Sequence, residues 1–299
     1  MSVWLGVDMG GTATRWVART ARGEIIARGE VAGATALPDS ASRAQFHAVL
    51  SQISVTAPSD KSAITMGLTG AGLVPTPDTI EICAQAFGIA ENRLTILNDM
   101  VLAWHTAYPE GGGYLVAAGT GSVGLSIDRA GEILLVGGRG TLIDDAGSGA
   151  WIGLQALNAL WRLIDLHGAP KGAEKLAQHV FDIIGGSDWE DTRHWVYAGD
   201  RGKIAKLAPA VAAAAVDGDP VALDLMRNAG TELARLASAL IARRGAALVG
   251  LTGGVFNLHP DVLAAMHEAL PDVSLTRITL DAAAHAATMA LQFHPSEAP

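Results

Sequence analysis

Residues 7–16 read VDMGGTATRW, and residues 117–124 read AAGTGSVG. Each stretch is an apolar run, as expected of a buried strand, that ends in a glycine turn carrying a hydroxyl side chain. A second strand follows each turn, and a further glycine, Gly23 or Gly131, precedes a third strand. Three short strands joined by tight turns are typical of an antiparallel β-meander, so the sequence predicts two such meanders.

The two meanders align without a gap over residues 10–26 and 118–134, at a constant offset of 108 residues. The matched pairs are Gly11 with Gly119, Thr12 with Thr120, Thr14 with Ser122, Gly23 with Gly131 and Glu24 with Glu132. Composition alone can make two glycine-rich hairpins agree, but here the strand pattern repeats together with the residues. The alignment therefore predicts two domains of one ancestry.

Strands and helices alternate through the rest of the chain, which is typical of an α/β fold. The first half adds strands at 63–68 and 94–97 and helices near 40–53, 76–87 and 99–107. The second half adds strands at 247–252 and 273–276 and helices at 147–166, 172–184, 204–216, 219–243, after Pro260 and at 282–293. We predict domains at 1–112 and 113–281, the second with a helical insertion. The last helix, about 282–293, is a candidate to pack back on the first domain.

Composition excludes several classes of function. The 299 residues are 49% apolar and only 17% charged, which argues against a disordered chain. The net charge of −9 argues against a nucleic-acid partner. No apolar run approaches the ~18–20 residues of a membrane span, and the N-terminus has no basic segment typical of a signal peptide. We therefore expect a cytoplasmic protein without a membrane partner. The single cysteine, Cys83, excludes an intrachain disulfide framework and a four-cysteine metal site.

The two glycine turns have the residues that a phosphate group requires. Glycine lets backbone N–H groups approach an anion closely, and Thr12 and Thr14 add hydroxyl donors. Asp8 precedes the first turn and would repel a phosphate unless a cation lies between them, which implies Mg²⁺. Residues 119–122 (GTGS) offer the same donors without the acid. Either turn alone is compatible with an ordinary hairpin, whereas two in register favour a site that holds a polyphosphate from both sides.

Other nucleotide motifs are missing. The sequence has no G-x-x-x-x-G-K-[ST] loop, and the G-x-G-x-x-G match at residues 119–124 lies between two strands rather than between a strand and a helix. A dinucleotide site is therefore not predicted there.

Three further positions are candidates for a site. Asp99 falls where a buried strand ends and a helix begins, so it is suited to cap the helix, to accept a proton at a cleft, or to do both. Asp144 and Asp145 lie in a glycine-rich loop, residues 138–153, where they are suited to bind sugar hydroxyls, a cation or an ammonium, or simply to be solvated before the next helix. Gly253-Gly254 follows a strand and allows a ring or phosphate to approach, or forms a plain tight turn.

Taken in order, these motifs amount to a family resemblance. VDMGGTATRW, ILNDM, AAGTGSVG, GRGTLIDDAGSGAWIG and LTGGVF resemble the actin–hexokinase–Hsp70 ATPase superfamily, and within it the N-acetylglucosamine kinase/BadF-type branch. The resemblance covers essentially the whole chain. It implies two ribonuclease-H-like (actin-like ATPase) domains with an interdomain nucleotide cleft, ATP and Mg²⁺ as cofactors, a small amino sugar as substrate, and a homodimer.

The resemblance also implies roles for individual residues. Asp99 matches the base that takes the proton from the sugar 6-hydroxyl, and Asp8 matches the acid that holds Mg²⁺ through water. The residues implied to bind ATP are Gly10, Gly11, Thr12, Thr14, Gly119, Thr120, Gly121, Ser122, Gly253 and Gly254. The residues implied to bind the sugar are Asp99, Thr120, Arg139, Asp144, Asp145 and Ser148.

Departures from the family pattern bear on the substrate. N-acetylglucosamine kinases of this branch read G-W-G and then G-D-E-G-S, whereas here Arg139 replaces the Trp, Asp144 the Gly and Ala146 the Glu. This variant is similar to bacterial glucosamine-specific kinases, and an extra carboxylate at Asp144 would favour an ammonium over a neutral acetamide. The leading interpretation is therefore a glucosamine kinase. The alternatives are an N-acetylglucosamine or other hexose-derivative kinase and, remotely, a regulatory BadF-type ATPase, whose iron–sulfur cluster needs two cysteines from each subunit.

Overall fold

The computed structural model of the protein describes residues 2–37, 39–199 and 201–295. Two compact units are present: unit 1 comprises Met1–Glu110 and Thr279–Pro299, and unit 2 comprises Gly111–Ile278. The sequence, for comparison, predicts boundaries at 112 and 281. Each unit holds one five-stranded sheet with helices packed on it, so the predicted α/β fold with two sheets is confirmed.

The sheet of unit 1 has the strand order β3-β2-β1-β4-β5. Strands β1, β2 and β3 form the antiparallel meander, while β4 and β5 are parallel to β1. The strands are β1 (Val3–Met9), β2 (Ala13–Arg19), β3 (Ile25–Ala32), β4 (Lys61–Leu68) and β5 (Leu94–Asn98). The helices are α1 (Ser40–Thr56), α2 (Pro77–Phe87), α3 (Asp99–Ala107) and, from the end of the chain, α11 (Ala282–Phe293), with a 3-10 turn at Glu91–Arg93.

Side chains along β1 point alternately to the two faces of the sheet, and each face packs against different helices. Val3, Leu5, Val7 and Met9 pack in one core with α1 and α2. Trp4 packs with Ala290 of α11 on the other face, and Gly6 lies so close to the α11 backbone that a side chain there would clash with Ala287. Asp8 therefore lies on the α11 face of β1, in register with Trp4 and Gly6.

Unit 2 repeats this topology, with the strand order β8-β7-β6-β9-β10. Its strands are β6 (Tyr114–Ala118), β7 (Ser122–Ile127), β8 (Ile133–Gly137), β9 (Val249–Thr252) and β10 (Leu275–Arg277). Its helices are α4 (Gly149–His167), α5 (Glu174–Ile184), α6 (Trp189–Tyr197), α7 (Arg201–Ala205), α8 (Ala208–Val216), α9 (Pro220–Arg244) and α10 (Pro260–Ala269), with a 3-10 turn at Gly254–Asn257. Helices α4 to α9 thus lie in the chain between the meander and β9.

The turn between the second and third strands is the same in both units. Its bonds are Thr20 N to Glu24 O (2.9 Å) and Gly23 N to Thr20 O (2.9 Å) in unit 1, and Asp128 N to Glu132 O (3.2 Å) and Gly131 N to Asp128 O (3.0 Å) in unit 2. Each pair of equivalent residues is 108 positions apart. Gly23 and Gly131 have φ angles of 81° and 82°, which a glycine adopts without strain. The internal repeat is therefore present in the backbone geometry as well as in the sequence.

Two helices differ from the sequence prediction. The predicted helix 204–216 is interrupted between α7 and α8, because Pro209 has no N–H and cannot continue a helical ladder from α7. The sequence does not predict helix α6, because its nine residues, WEDTRHWVY, are mostly polar; Asp188 caps its first turn by accepting a hydrogen bond from Asp191 N.

Within the described ranges, no helix combines the length and the apolar character that a membrane crossing requires.

Candidate active site

Asp8 lies near the end of β1, with its carboxylate in an acidic environment. The pKa of Asp8 is raised from 3.8 to about 6, mainly by burial and then by the neighbouring Asp99, while Arg15, opposite on β2, lowers it. Arg15 is itself paired with Glu30, whose Oε2 lies 2.9 Å from its Nε. Asp8 has no hydrogen bond or ion pair among the residues that the structure describes. Apart from the charge of Arg15, no residue in the described ranges compensates this carboxylate.

Asp99 is the first residue of α3, at the end of β5. The residue that caps this helix is Asn98, whose Oδ1 accepts a hydrogen bond of 3.0 Å from Met100 N. Asp99 Oδ1 shares that same N–H at 2.9 Å, and Asp99 Oδ2 lies 2.6 Å from the Thr69 hydroxyl. The cap of α3 is therefore mainly Asn98, and not Asp99. The Asp99 carboxylate accepts one hydrogen bond on each oxygen, from Met100 N and from the Thr69 hydroxyl.

Thr69 is a site residue that the sequence interpretation missed. It follows β4 directly, and its backbone N and its hydroxyl both lie 3.0 Å from Met9 O at the end of β1. A hydroxyl residue immediately after a buried strand and before a glycine was the available signal, because parallel strands end at the same sheet edge. The contact with Asp99, 30 positions away, could not be read from local sequence.

The first hairpin, residues 10–14, presents exposed backbone. Gly10 N donates to Ala13 O (3.0 Å), and the segment after β3 is bonded to the hairpin through Gly33 N to Thr12 O (3.2 Å). These bonds leave the N–H groups of Gly11 and Thr12 unpaired within the described part of the chain, and both residues are exposed. Thr14 is fully buried and its hydroxyl has no partner there, so in this conformation Thr14 does not face solvent as the phosphate prediction requires.

The second hairpin, residues 119–122, is held by the start of α4. Gly149 N donates to Gly119 O (2.8 Å) and Ala150 N donates to Thr120 O (3.2 Å). Ser122 is buried, and its hydroxyl donates to Ala146 O (2.7 Å), so the hydrogen that the sequence prediction assigned to a phosphate is used within the loop. Gly119 N in turn donates to Gly121 O (2.9 Å), so the half-buried Thr120 is better placed for a phosphate than Ser122 or the Gly119 backbone.

Asp145 packs against this hairpin. Its side chain is only 4% exposed, and a Cβ at Gly121 would lie 3.0 Å from its Oδ2, so only glycine fits there without displacing the carboxylate. Asp145 Oδ1 accepts from Gly140 N at 3.2 Å, which draws the 138–148 loop over the acid. Asp145 is therefore an anchored carboxylate next to the second hairpin.

The other predicted sugar-binding residues of this loop have different surroundings. Ser148 is buried and caps α4, with its Oγ accepting from Trp151 N at 3.2 Å. Arg139 is exposed, and its backbone N donates to Asp144 O (3.2 Å).

Asp144 lies in an ion pair rather than free in the loop. The Nη2 atom of Arg235, on α9, donates to both carboxylate oxygens of Asp144, at 2.9 Å and 3.1 Å. The Arg235 Nε also bonds Glu232 at 2.9 Å. Asp144 is therefore already paired with a guanidinium 91 positions away, which it shares with Glu232, so it is not the unpaired acid that the electrostatic argument for glucosamine assumed.

Gly253-Gly254 ends β9 and begins a 3-10 turn. Gly253 has φ 106°, and a side chain there would clash with the Ala118 carbonyl, so this position requires glycine. A Cβ on Gly254 would meet no atom within 4 Å, so the backbone there borders open space. Arg277 at the end of β10 holds the turn, because it donates to Phe256 O (2.6 Å) and Asn257 Oδ1 (2.8 Å).

A magnesium ion fits the chemistry of Asp8. A half-buried carboxylate with a raised pKa and no partner among the described residues is relieved by a divalent cation, and Mg²⁺ binds in this way through one or two carboxylates, waters and substrate phosphates. The described residues contain no cluster of three or more His, Cys, Asp or Glu that would form an all-protein metal cage. Cys83 does not fit a metal role, because it is buried and burial raises its thiol pKa to about 12.

The predicted site residues thus form two groups, one in each unit. Unit 1 brings together the first hairpin, Asp8, Thr69 and Asp99, and unit 2 brings together the second hairpin and Asp145, with Gly253 against the end of β6. The nucleotide cleft implied by the resemblance stays a prediction.

Comparison with known proteins identifies relatives over most of the chain. The N-acetylmuramic acid/N-acetylglucosamine kinase of Clostridium acetobutylicum is 29% identical over 176 residues, 58% of this chain and 56% of that protein, so the match spans little more than half of that relative. The glucosamine kinase GspK of Vibrio cholerae serotype O1 is 27% identical over 261 residues, 85% of each chain. A solved structure from Chromobacterium violaceum, named as a candidate N-acetylglucosamine kinase, is 30% identical with a TM-score of 0.80 and covers 96% of this chain and 98% of that one.

The family assignment follows from the breadth of the match. A sequence model of the BadF/BadG/BcrA/BcrD ATPase family matches residues 5–280. This range includes the second meander, the first meander from Leu5 onward, and Asp99, Asp145 and Gly253, and the predicted BadF-type branch is thereby confirmed. The protein belongs to the BadF/BadG/BcrA/BcrD ATPase family.

Proposed function

We propose that the protein is an ATP-dependent amino-sugar kinase that phosphorylates the 6-hydroxyl of its acceptor. The observation that carries the proposal is the carboxylate of Asp99, which sits at the end of a parallel strand with one donor on each oxygen. Ligands of α/β sheets bind at this edge. Similarity to amino-sugar kinases, at 27% to 30% identity, supports the same activity.

Asp99 is proposed as the general base. Each carboxylate oxygen of an ionised Asp has two lone pairs, so the single donors from Met100 N and Thr69 leave capacity to accept the sugar proton. The two donors also fix the carboxylate, so that a hydroxyl bound beside it is held in one geometry. A base positioned in this way contributes about 10²- to 10⁴-fold to rate.

The reaction is an in-line displacement at phosphorus. The sugar O6 loses its proton to Asp99 and forms a bond to the γ-phosphorus of ATP, while the bond from that phosphorus to the β,γ-bridging oxygen breaks and ADP leaves with the electron pair. The products are the sugar 6-phosphate, ADP and one proton. Most of the rate enhancement comes from positioning and charge neutralisation.

The proposed phosphate contacts come from both hairpins. The unpaired N–H groups of Gly11 and Thr12 are donors for phosphate oxygens from unit 1, and the N–H groups of Thr120 and Gly121 are the donors proposed from unit 2, because Gly119 N already donates to Gly121 O. Asp8 would hold Mg²⁺ through water, and the bound ion would neutralise charge on the phosphates. Gly254, which borders open space, is proposed to lie against the adenosine.

Two acceptors remain under this proposal. Glucosamine is supported by the family variant at residues 138–148 and by the similarity to GspK. N-acetylglucosamine is supported by the relative of 30% identity. Asp144 is paired with Arg235, so the electrostatic argument from a free Asp144 carboxylate does not support glucosamine over N-acetylglucosamine.

An acceptor panel tests the function. Purified protein with Mg²⁺ and ATP is assayed for ADP release with glucosamine, N-acetylglucosamine, glucose and N-acetylmuramic acid, and the product is located by NMR. Phosphorylation at O6 of an amino sugar, faster than of glucose, is the expected result. ATP hydrolysis that no sugar accelerates would contradict the proposal and favour a regulatory ATPase.

A further inference from the structure

The loop at residues 138–148 is attached to helix α9 at both of its ends. Directly before the loop, a Cβ atom at Gly137 would lie 2.6 Å from Cδ2 of Leu236. At the other end, a Cβ atom at Gly147 would lie 2.7 Å from the carbonyl oxygen of Ala229. Leu236 and Ala229 are both buried in the core of unit 2. Both ends of the loop therefore pack closely on a buried face of α9.

The middle of the loop has no such packing. Leu142 is fully exposed and Ile143 is 79% exposed, so the tip buries little apolar surface. The turn below the tip is closed by backbone hydrogen bonds of 2.9 Å from Ile143 N and Asp144 N to Gly140 O. These bonds fix the local shape of the turn, but they do not attach it to the rest of unit 2.

Arg235 attaches the middle of the loop to α9. Its Nη2 donates to both carboxylate oxygens of Asp144, at 2.9 Å and 3.1 Å. Glu232, one turn earlier on the same helix, accepts from Arg235 Nε at 2.9 Å and so orients the guanidinium. The ion pair thus joins the middle of the loop to the helix on which its two ends already pack.

The position of this turn determines the surroundings of the next residue, Asp145. Asp145 Oδ1 accepts a hydrogen bond of 3.2 Å from Gly140 N, and Gly140 O accepts the bond from Asp144 N. Gly140 therefore connects the two neighbouring acids through its own backbone. A displacement of Asp144 moves the turn that binds the Asp145 carboxylate.

We infer that Arg235 is a positioning residue for sugar binding: through Asp144, it holds the loop at residues 138–148 in the conformation that keeps Asp145 in place for the sugar. The inference deepens the proposed function and rests on it, with Asp145 as the sugar-binding acid that the family resemblance implies. Without Arg235 the loop exchanges among several conformations, and the apparent affinity for the sugar falls with the fraction that has Asp145 in place. Because the ion pair is partly exposed, the change is about three- to fivefold.

Steady-state kinetics of Arg235→Gln test the inference. Glucosamine, N-acetylglucosamine and ATP are varied in turn with the full chain. We expect KM for either sugar to rise about three- to fivefold, while kcat and KM for ATP stay unchanged, because saturating sugar restores the bound conformation. An unchanged KM for the sugar, or an equal rise in KM for ATP, would overturn the inference.

Arg227→Gln is the matched control. Arg227 also lies on α9 and also forms a partly exposed ion pair of 2.7 Å, but its partner is Glu268 of α10 rather than the loop. This variant removes the same charge from the same helix and should leave KM for the sugar unchanged. A rise equal to that of Arg235→Gln would mean that the charge of α9, and not the loop, is responsible.

A double-mutant cycle tests the route through Asp144. Asp144→Asn should raise KM for both sugars about as much as Arg235→Gln does, because either change breaks the same ion pair. The double variant should be no worse than either single variant. Fully additive increases in KM would show that Arg235 acts without Asp144 and would contradict the inference.

Hydrogen exchange measures the loop itself, in the absence of sugar and ATP. In Arg235→Gln the backbone amides of residues 140–146 should exchange about three- to fivefold faster, and in Arg227→Gln they should exchange as in the parent protein. Unchanged exchange of this segment in Arg235→Gln would also overturn the inference.

The two proposals fail in different ways. If no sugar is phosphorylated, but Arg235→Gln accelerates exchange in the loop and weakens sugar binding measured by calorimetry, only the kinase proposal falls. If an amino sugar is phosphorylated at O6 and Arg235→Gln alters neither the exchange nor KM for that sugar, the kinase proposal stands and the positioning role of Arg235 falls.

Discussion

The Thr69 hydroxyl lies 2.6 Å from Asp99 Oδ2 and 3.0 Å from the carbonyl of Met9. Met9 ends β1, Thr69 follows β4 and Asp99 follows β5, so one side chain joins the ends of three neighbouring strands. The hydroxyl has one hydrogen, and an ionised Asp99 is the stronger acceptor. Thr69 is therefore suited to position the proposed base.

Replacing Thr69 with Val should lower kcat and leave the affinity for ATP unchanged. The variant keeps the shape of the side chain but removes the donor to Asp99, so the carboxylate gains rotational freedom. Misplacement of a reacting group costs on the order of 10²-fold in rate. Steady-state kinetics should show the loss in kcat, and Thr69→Ser should restore most of it. A Ser variant as slow as the Val variant would argue against the hydroxyl.

Asp99→Asn should cost about 10²- to 10⁴-fold in kcat while ATP binding stays nearly intact, because an amide cannot accept the proton but keeps the volume. Turnover and nucleotide affinity are measured on the same preparation. The matched control is Asn98→Asp, which retains a helix-capping oxygen next to the base. Near-normal turnover of Asp99→Asn would show that another group is the base.

Asp8→Asn should stabilise the metal-free protein at neutral pH. Burial, and then the nearby Asp99, raise the pKa of Asp8 from 3.8 to about 6. Between about pH 4 and pH 6 the folded state therefore holds a proton that the unfolded chain has released, and stability falls as the pH rises through that window. Above about pH 6, the ionised Asp8 lowers the free energy of unfolding by about 3 kcal/mol, and an asparagine amide at this position avoids that loss.

Urea unfolding without Mg²⁺ or nucleotide measures this effect. The gain for Asp8→Asn should be largest at pH 7.5 and clearly smaller at pH 5. Asp272→Asn removes one exposed carboxylate elsewhere and should change little at either pH. A gain of the same size at both pH values would mean that ionisation of Asp8 is not its cause.

The fold could be predicted from the sequence because its signals are local. Apolar runs marked the strands, and the glycine turns marked the meanders. The turns at Thr20–Glu24 and Asp128–Glu132 are an example of such local signals. The side chains of Thr20 and Asp128 differ, yet each accepts hydrogen bonds from the backbone N–H groups two and four residues later. A short polar acceptor and a glycine determine that geometry in both units.

The side-chain partners of the site could not be predicted, because they depend on distant residues. Nothing near Asp144 in the sequence indicates Arg235, and nothing near Ser122 indicates that its hydroxyl donates to Ala146 O. The chemistry of a carboxylate or a hydroxyl depends on whether it is already paired, which is a property of the tertiary structure.

The Asp144–Arg235 pair yields a test of acceptor preference. Both side chains are partly exposed, at 30% and 49%, so the pair should stabilise the fold by at most about 1 kcal/mol. Because Asp144 is already paired with Arg235, we expect Asp144→Asn to leave the ratio of kcat/KM for glucosamine to that for N-acetylglucosamine unchanged. Glu232→Gln, at the other partner of Arg235, is the control. A tenfold loss specific to glucosamine in Asp144→Asn alone would restore the role that the sequence interpretation gave to this acid.

Substitution of the adjacent Gly253 and Gly254, at the end of β9, distinguishes a glycine that the fold requires from one that is proposed to contact ATP. Gly253→Ala should destabilise the protein by about 1–3 kcal/mol, because φ is 106° and the new Cβ meets the Ala118 carbonyl. Gly254→Ala meets no atom within 4 Å and should leave the melting temperature unchanged. If adenosine lies against this backbone, the added methyl group should raise KM for ATP about tenfold and leave KM for the sugar as it was. Kinetics with ATP and sugar varied in turn measure both, and an unaltered KM for ATP would place the adenosine elsewhere.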